Sequence, residues 1–137
     1  MTNMIIPENF QDLLIGKNFA NVATINPDGS PQVTPMWVDF DKTRNEIIVN
    51  TAKGRKKTRN MFVGAKVALS IQDQKNSYRY MGIQGEVLSV TEDGAEEHID
   101  ILAMKYMGKE KYPLRSGETR LLIKIQPNCV HTMGKIR

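Results

Sequence analysis

The chain has one cysteine in 137 residues, Cys129, which excludes an internal disulfide and any multi-thiolate metal centre and gives no sign of an oxidising compartment. It has two histidines, His98 and His131, in different elements and without a Cys, His or carboxylate partner at ligand spacing, so no metal site is expected. Long apolar runs are missing: no window approaches the length of a membrane span, and Met1-Thr2-Asn3-Met4 does not open an export signal. The expected setting is the cytoplasm, with no membrane partner. A nucleophilic hydrolase lacks its marks, because there is no Gly-X-Ser-X-Gly turn and nothing beside Cys129 to activate its thiol. Neither Gly-X-Gly-X-X-Gly nor the Walker lysine is present. Asp39 and Asp41, which come closest to paired carboxylates, flank a turn and read as turn and solubilising residues.

What is there is an ordinary globular composition, 40% hydrophobic and 25% charged, at a length that suits a single domain over residues 1–137 with one core. The net charge of +4 is focal. Lys53, Arg55, Lys56, Lys57 and Arg59 concentrate it, and Glu92, Asp93, Glu96 and Glu97 form an acidic counter-segment. Phe10, Leu13 and Leu14 recur at helical spacing before Gly16. Phe19 to Ile25 reads as a strand entering the turn Asn26-Pro27-Asp28-Gly29-Ser30. The return strand, Gln32 to Phe40, is expected to interrupt its ladder at Pro35, which belongs at a sheet edge, a bulge or a point where a ligand approaches the backbone. Glu46 to Asn50, Lys66 to Gln72 and Tyr78 to Val90 follow as strands, the last with bends or bulges at Gly82 and Gly85. A short basic helix falls between Lys53 and Phe62, and a longer one runs from Ala95 to about Met107, with His98 on its surface. Arg120 to Ile125 forms a final strand stopped by Pro127, with Arg120 on its outward side. About six strands and two or three helices make an antiparallel barrel with peripheral helices.

The run Gly54-Arg55-Lys56-Lys57-Thr58-Arg59-Asn60 admits two readings. Charge runs usually form a solvated face, yet Arg, Lys and Thr at a strand-to-helix junction are also the donors that grip one phosphate. Composition leaves these level. A nucleic-acid barrel would interleave aromatic and basic residues, whereas here they are mostly segregated, so no nucleic-acid partner is expected.

Order along the chain separates the two readings. Val22-Ala23-Thr24-Ile25, Pro27-Asp28-Gly29-Ser30-Pro31-Gln32-Val33 and Thr34-Pro35-Met36-Trp37 resemble the opening of the pyridoxamine 5'-phosphate oxidase-like family. Asn50 to Asn60, Val67-Ala68-Leu69-Ser70, Asn76 to Tyr80, Ala103 to Gly108 and Tyr112-Pro113 resemble its coenzyme F420-dependent branch. The resemblance implies a mainly β fold, a six-stranded antiparallel split β-barrel with peripheral α-helices of the FMN-binding type, working as a homodimer with two cofactor sites at the interface. It implies that Arg55, Lys57 and Thr58, with Lys53 beside them, hold the cofactor phosphate, and that Asn50 and Thr51 lie along the same strand edge. Thr34, Pro35, Met36 and Trp37 would face the ring, and Tyr78, Arg79 and Tyr80 would reach over from the partner subunit.

The function so implied is an oxidoreductase that binds coenzyme F420, a deazaflavin, and passes a hydride to or from a small molecule. The cofactor does the hard step and no catalytic residue is assigned, although Tyr78 or Tyr80 could give a proton. An FMN-dependent oxidoreductase and a non-catalytic flavin or deazaflavin carrier are the alternatives, and the excess of Lys and Arg favours the acidic deazaflavin tail. The C-terminal tryptophan and Arg-Leu-X segment of true pyridoxamine phosphate oxidases is absent, and the chain ends Met133-Gly134-Lys135-Ile136-Arg137, which argues against vitamin B6 oxidation.

Overall fold

The structure is a computed structural model and describes residues 3–134; Lys135, Ile136 and Arg137, part of the ending that bears on vitamin B6 oxidation, lie outside them. A 3-10 turn at Glu8–Phe10 leads into α1 (Gln11–Ile15), followed by β1 (Ala20–Ile25), β2 (Pro31–Met36), β3 (Asp39–Asp41) and β4 (Glu46–Ala52). The short α2 (Lys56–Arg59) precedes β5 (Lys66–Asp73) and the long β6 (Asn76–Thr91), and α3 (Ala95–Met107) precedes β7 (Arg120–Met133). No helix of the described residues is long and apolar enough to cross a membrane.

Seven strands form one antiparallel sheet in the order β2-β1-β5-β6-β7-β4-β3, not six strands in a closed barrel. The extra strand comes from the stretch Gln32 to Phe40, which divides into β2 and β3. These two strands lie at opposite edges of the sheet, yet only Trp37 and Val38 separate them in the chain. Three Cα steps span at most about 11 Å, so the sheet must curl until its edges nearly meet. The result is a barrel-like sheet with an open seam at Trp37.

Pro35 lies on an edge strand, one of the places expected for it, and stays within β2 opposite Asn21 without interrupting the ladder. An edge strand has one unpaired side, where a missing N–H removes no ladder bond. Pro127 does not end β7 either. It sits opposite Gly85, where the register shifts between Gln84 and Gly85, and its carbonyl accepts the Met4 N–H at 2.8 Å. The bulge relieves the proline of a donor's duty, and a Cβ on Gly85 would come within 2.7 Å of the Gln126 carbonyl oxygen. At Gly82 the β6–β7 register runs on unbroken; the glycine there makes room for the His131 ring, which lies against the place of its missing Cβ.

Alternation by two puts Val22, Val67, Leu69, Ile71, Ile83, Ile123 and Ile125 inside, each at most 5% exposed. Ile6, and Phe10, Leu13 and Leu14 from the first helical segment, join this core. Burying one such side chain stabilises the fold by about 1.5–3 kcal/mol, which makes this layer the main source of stability. A smaller cluster of Ile99, Leu102 and Tyr106 attaches α3 to the outside of β4 and β7, with Trp37 and Tyr112 packed against it.

Candidate functional site

At the seam, β2 delivers Pro35 and Met36, the connection to β3 delivers Trp37, and β4 delivers Asn50. After β4 the chain turns at Gly54, whose φ of +93° suits a residue without a side chain. Arg55 and α2 follow. Thr58 holds this turn from beneath: it is buried, donates to the Ala52 carbonyl at 2.8 Å and meets the Thr51 hydroxyl at 3.0 Å. Asn60 fastens the far end, donating to Thr24 Oγ1 at 3.1 Å and Asn26 Oδ1 at 2.9 Å, while Met61 plugs into the core. Anchored at both ends, the basic segment presents Arg55 and Lys57 to a cleft of about 210 Å³.

Six of the residues singled out in the sequence meet in this cleft: Pro35, Met36, Trp37, Asn50, Arg55 and Lys57. The others lie elsewhere in the subunit. Thr34 faces Val22 across the β1–β2 ladder. Thr51 and Thr58 give their hydroxyls to the turn. Lys53 reaches Glu92 of the acidic segment at 3.9 Å. Tyr78 is exposed, and Tyr80 lies edge-on to His131 with ring centroids 6.5 Å apart. Arg79 is buried within its own chain, donating to both Asp12 carboxylate oxygens at 2.7 and 2.9 Å, to Asp73 at 3.1 Å and to the Asn9 carbonyl at 2.8 Å.

Arg120 and Tyr112 complete the cleft, with Phe19, Ile99 and Leu114. Arg120 is read from the sequence as outward, but α3 covers that side of β7 and leaves it 4% exposed. It donates through Nε to Asn50 Oδ1 at 2.9 Å, stacks its guanidinium 5.3 Å above the Tyr112 ring and stands 3.5 Å from Glu118. His98, read as a surface residue, is buried as well, between Asp39 Oδ2 at 3.0 Å and Asn50 Nδ2 at 3.3 Å. The signals that could have found them are, for Arg120, a charged residue on a strand face that an amphipathic helix must cover and, for His98, its helical spacing from Ala95 and Leu102 on the covering face of α3.

The electrostatics favour an anion. Among the described residues no carboxylate pairs with Arg55 or Lys57. Burial, and then the neighbouring charges of Arg55 and Arg120, hold the Lys57 ammonium below its ordinary pKa. Burial does the same to Arg120, with Arg55 adding to the effect. Two cations held low beside a third, with only Glu118 near Arg120, are the arrangement that a bound phosphate would relieve. No group of three or more His, Cys, Asp or Glu among the described residues could hold a metal ion.

Next to the cations stands an aromatic wall. Trp37 is stacked on Tyr106 with centroids 5.0 Å apart and planes 1° apart, and it meets Tyr112 edge-on at 5.9 Å. Tyr106 cannot turn, since its hydroxyl donates to the Asn18 carbonyl at 2.6 Å and accepts the Val38 N–H at 3.1 Å. Burial pushes this phenol up to about 12, so it stays protonated and serves as a backing for Trp37. The Tyr112 loop is tied to α3 through its N–H to Asp100 at 2.8 Å and through Arg115, which bonds Asp100 at 2.9 Å and Glu96 at 3.0 Å. The cleft thus joins a cationic corner to a flat apolar wall on rigid supports.

Comparison with known proteins bears on this geometry. The family model described as Pyridoxamine 5'-phosphate oxidase matches residues 6–134. A solved structure of an F420 reductase is 29% identical and superposes with a TM-score of 0.81, covering 92% of this chain and 98% of its own. HupZ from Group A Streptococcus is 18% identical with a TM-score of 0.67, covering 93% and 94%. General Stress Protein 26 from Bacillus anthracis is 17% identical with a TM-score of 0.64, covering 92% of each chain. The last two likenesses show the fold alone. No curated protein matches in sequence.

Proposed function

The chain belongs to the pyridoxamine 5'-phosphate oxidase family, and on that premise we propose that its seam cleft holds the phosphate of coenzyme F420 for hydride exchange with a small organic substrate. The observation that carries this reading is the convergence of Arg55, Lys57 and buried Arg120 on one cleft beside Trp37. The likeness to an F420 reductase favours the deazaflavin over FMN. The donor set fits either cofactor's phosphate: Arg can grip two oxygens, Lys adds a point charge, and a partly dry site strengthens both. Trp37 and Tyr112 would orient the planar ring, and Phe19 and Leu114 would exclude water from its edge. When bound, the cofactor supplies the hydride chemistry; the chain's own part is to grip, align and desolvate.

In this reading the protein is a homodimer. Among the described residues no helix covers the outer face of β2, β1, β5 and β6, which carries Val33, Ile25, Ala23 and Ala68, with an apolar cleft of about 470 Å³ between β1 and β5. A second copy would cover it, and would bring its Tyr78 and Tyr80 towards the cleft of its neighbour.

Equilibrium titration of the protein with coenzyme F420 and with FMN, followed by ring absorbance, tests the proposal. F420 is expected to bind at micromolar or lower concentration and more tightly than FMN. Tight FMN binding without F420 binding would move the protein to FMN chemistry, and binding of neither would refute the site. Reduction of quinones or enones by the loaded protein is expected; retention of cofactor with no turnover on a broad panel would make it a carrier.

A further inference from the structure

Behind the cleft a line of buried and half-buried polar groups leads to Arg120. Asp39 stands on β3, His98 on α3, Asn50 on β4 and Arg120 at the start of β7. His98 Nε2 lies 3.0 Å from Asp39 Oδ2, His98 Nδ1 lies 3.3 Å from Asn50 Nδ2, and Arg120 Nε lies 2.9 Å from Asn50 Oδ1. Four residues from four elements therefore form one chain that ends on the buried cation of the cleft.

Donor and acceptor chemistry leaves this chain a single arrangement. The Ala95 carbonyl, 2.8 Å from Asn50 Nδ2, can only accept, and Arg120 Nε–H can only donate. The Asn50 amide must then direct its nitrogen to Ala95 and its oxygen to Arg120. Its second N–H is directed to His98 Nδ1, which has to accept, so the imidazole carries its proton on Nε2 and donates it to Asp39. Burial pushes the Asp39 carboxyl up, but hydrogen bonds from His98 and the Phe40 N–H outweigh that and hold it below its ordinary value as an acceptor. With Nε tied to Asn50, the guanidinium is fixed over Tyr112, and its Nη edge is left for Glu118 and for an anion in the cleft.

We propose that His98 is a positioning residue: acting through Asn50, it fixes the Arg120 guanidinium in the orientation that receives the cofactor phosphate. The inference rests on the phosphate reading of the cleft. Were the Nδ1 acceptor lost, the Ala95 carbonyl alone would hold the Asn50 amide from the helix side, and the amide, with the Arg120 plane bonded to it, would gain freedom to turn.

Two substitutions separate positioning from simple support. In His98→Asn the side-chain oxygen falls near the place of Nδ1 and keeps an acceptor for Asn50; in His98→Gln the terminal amide falls near Nε2 and keeps the bond to Asp39 alone. With FMN and coenzyme F420 each titrated as probe, H98Q is expected to weaken binding about tenfold, since a hydrogen bond on a charged group has roughly that effect. H98N is expected to stay within about twofold of the unaltered protein. The Arg120 Nε–H resonance of labelled protein without cofactor should move in H98Q and hold in H98N. If Lys57→Ala weakens binding while H98Q changes neither affinity nor that resonance, the positioning role is overturned and the phosphate site stands. If Lys57→Ala and H98Q both leave affinity unchanged, the phosphate site falls and the inference with it. The unaltered protein offers a check that needs no variant: 15N shifts of the His98 ring are expected to show a proton on Nε2, and a proton on Nδ1 would overturn the chain.

Discussion

Replacing Arg55 and Lys57 together by alanine is expected to weaken cofactor binding by about 2–4 kcal/mol, roughly thirtyfold to a thousandfold, at ~1.5–3 kcal/mol for each hydrogen bond to a charged group with some loss to non-additivity. The fold should not suffer. Arg55 is exposed, Lys57 is half-buried, and neither makes an ion pair among the described residues. Removing Lys57 also removes a charge that now opposes Arg120, so thermal stability is expected to hold or rise slightly while affinity falls. Ring absorbance during titration measures the affinity, and circular dichroism on heating measures the fold. Unchanged affinity in the double variant would show that the phosphate is held elsewhere. A parallel loss of stability would show that the basic segment braces the sheet instead.

Replacing Arg79 by methionine is expected to have the opposite profile, with a loss of about 2–4 kcal/mol of stability and cofactor affinity kept in the molecules that remain folded. The guanidinium is 3% exposed, it clamps Asp12 of α1 with two bonds, and it lies 4.8 Å above the centre of the Phe10 ring. It therefore ties the first helical segment to β6. Asp12 itself is largely exposed and can return to water, which keeps the cost at the lower end of what breaking a buried pair incurs. Hydrogen bonds donated to Asp12 and Asp73 outweigh burial and raise the Arg79 pKa, so the guanidinium stays charged at every ordinary pH. Urea unfolding of the variant measures the stability. A large loss of cofactor affinity with normal stability would instead give Arg79 a role at the cofactor, as the family resemblance implies.

The sheet is legible in the sequence wherever one face is buried and the other solvated. Val67, Leu69 and Ile71 and then Ile123 and Ile125 declare their strands, because alternation by two has no other cheap explanation. Proline misleads about the end of β7 and about the continuity of the β2 ladder, though not about the edge position of Pro35, for one reason: its cost depends on whether a partner strand needs its N–H. Pro35 on an edge and Pro127 opposite a bulge are both excused, and only pairing reveals that. The division between β2 and β3 is equally silent, since it reflects the chain crossing from one sheet edge to the other at Trp37 and Val38.

At the site, Arg55 and Lys57 are legible as a run of like charge, and Trp37 as part of an ordered set of segments. Arg120 and His98 are not. Arg120 lies on the outward side of β7 and His98 on the face of α3 turned towards β3 and β4, and each becomes buried because α3 docks over β4 and β7. Docking between elements tens of residues apart leaves no periodic trace. Arg79 shows the converse: its neighbours in sequence are tyrosines suited to a binding edge, while its partners Asp12 and Asn9 come from the far end of the chain.

The central claim is that Arg55, Lys57 and Arg120 grip a cofactor phosphate at the seam between β2 and β3. The most direct test is a crystal structure of the protein with coenzyme F420 or FMN bound. The account predicts phosphate oxygens about 2.7–3.2 Å from Lys57 Nζ and the two guanidinium groups, with the ring against Trp37. A phosphate bound away from these three cations, or a ring seated in the apolar cleft between Ala23 and Ala68, would contradict it.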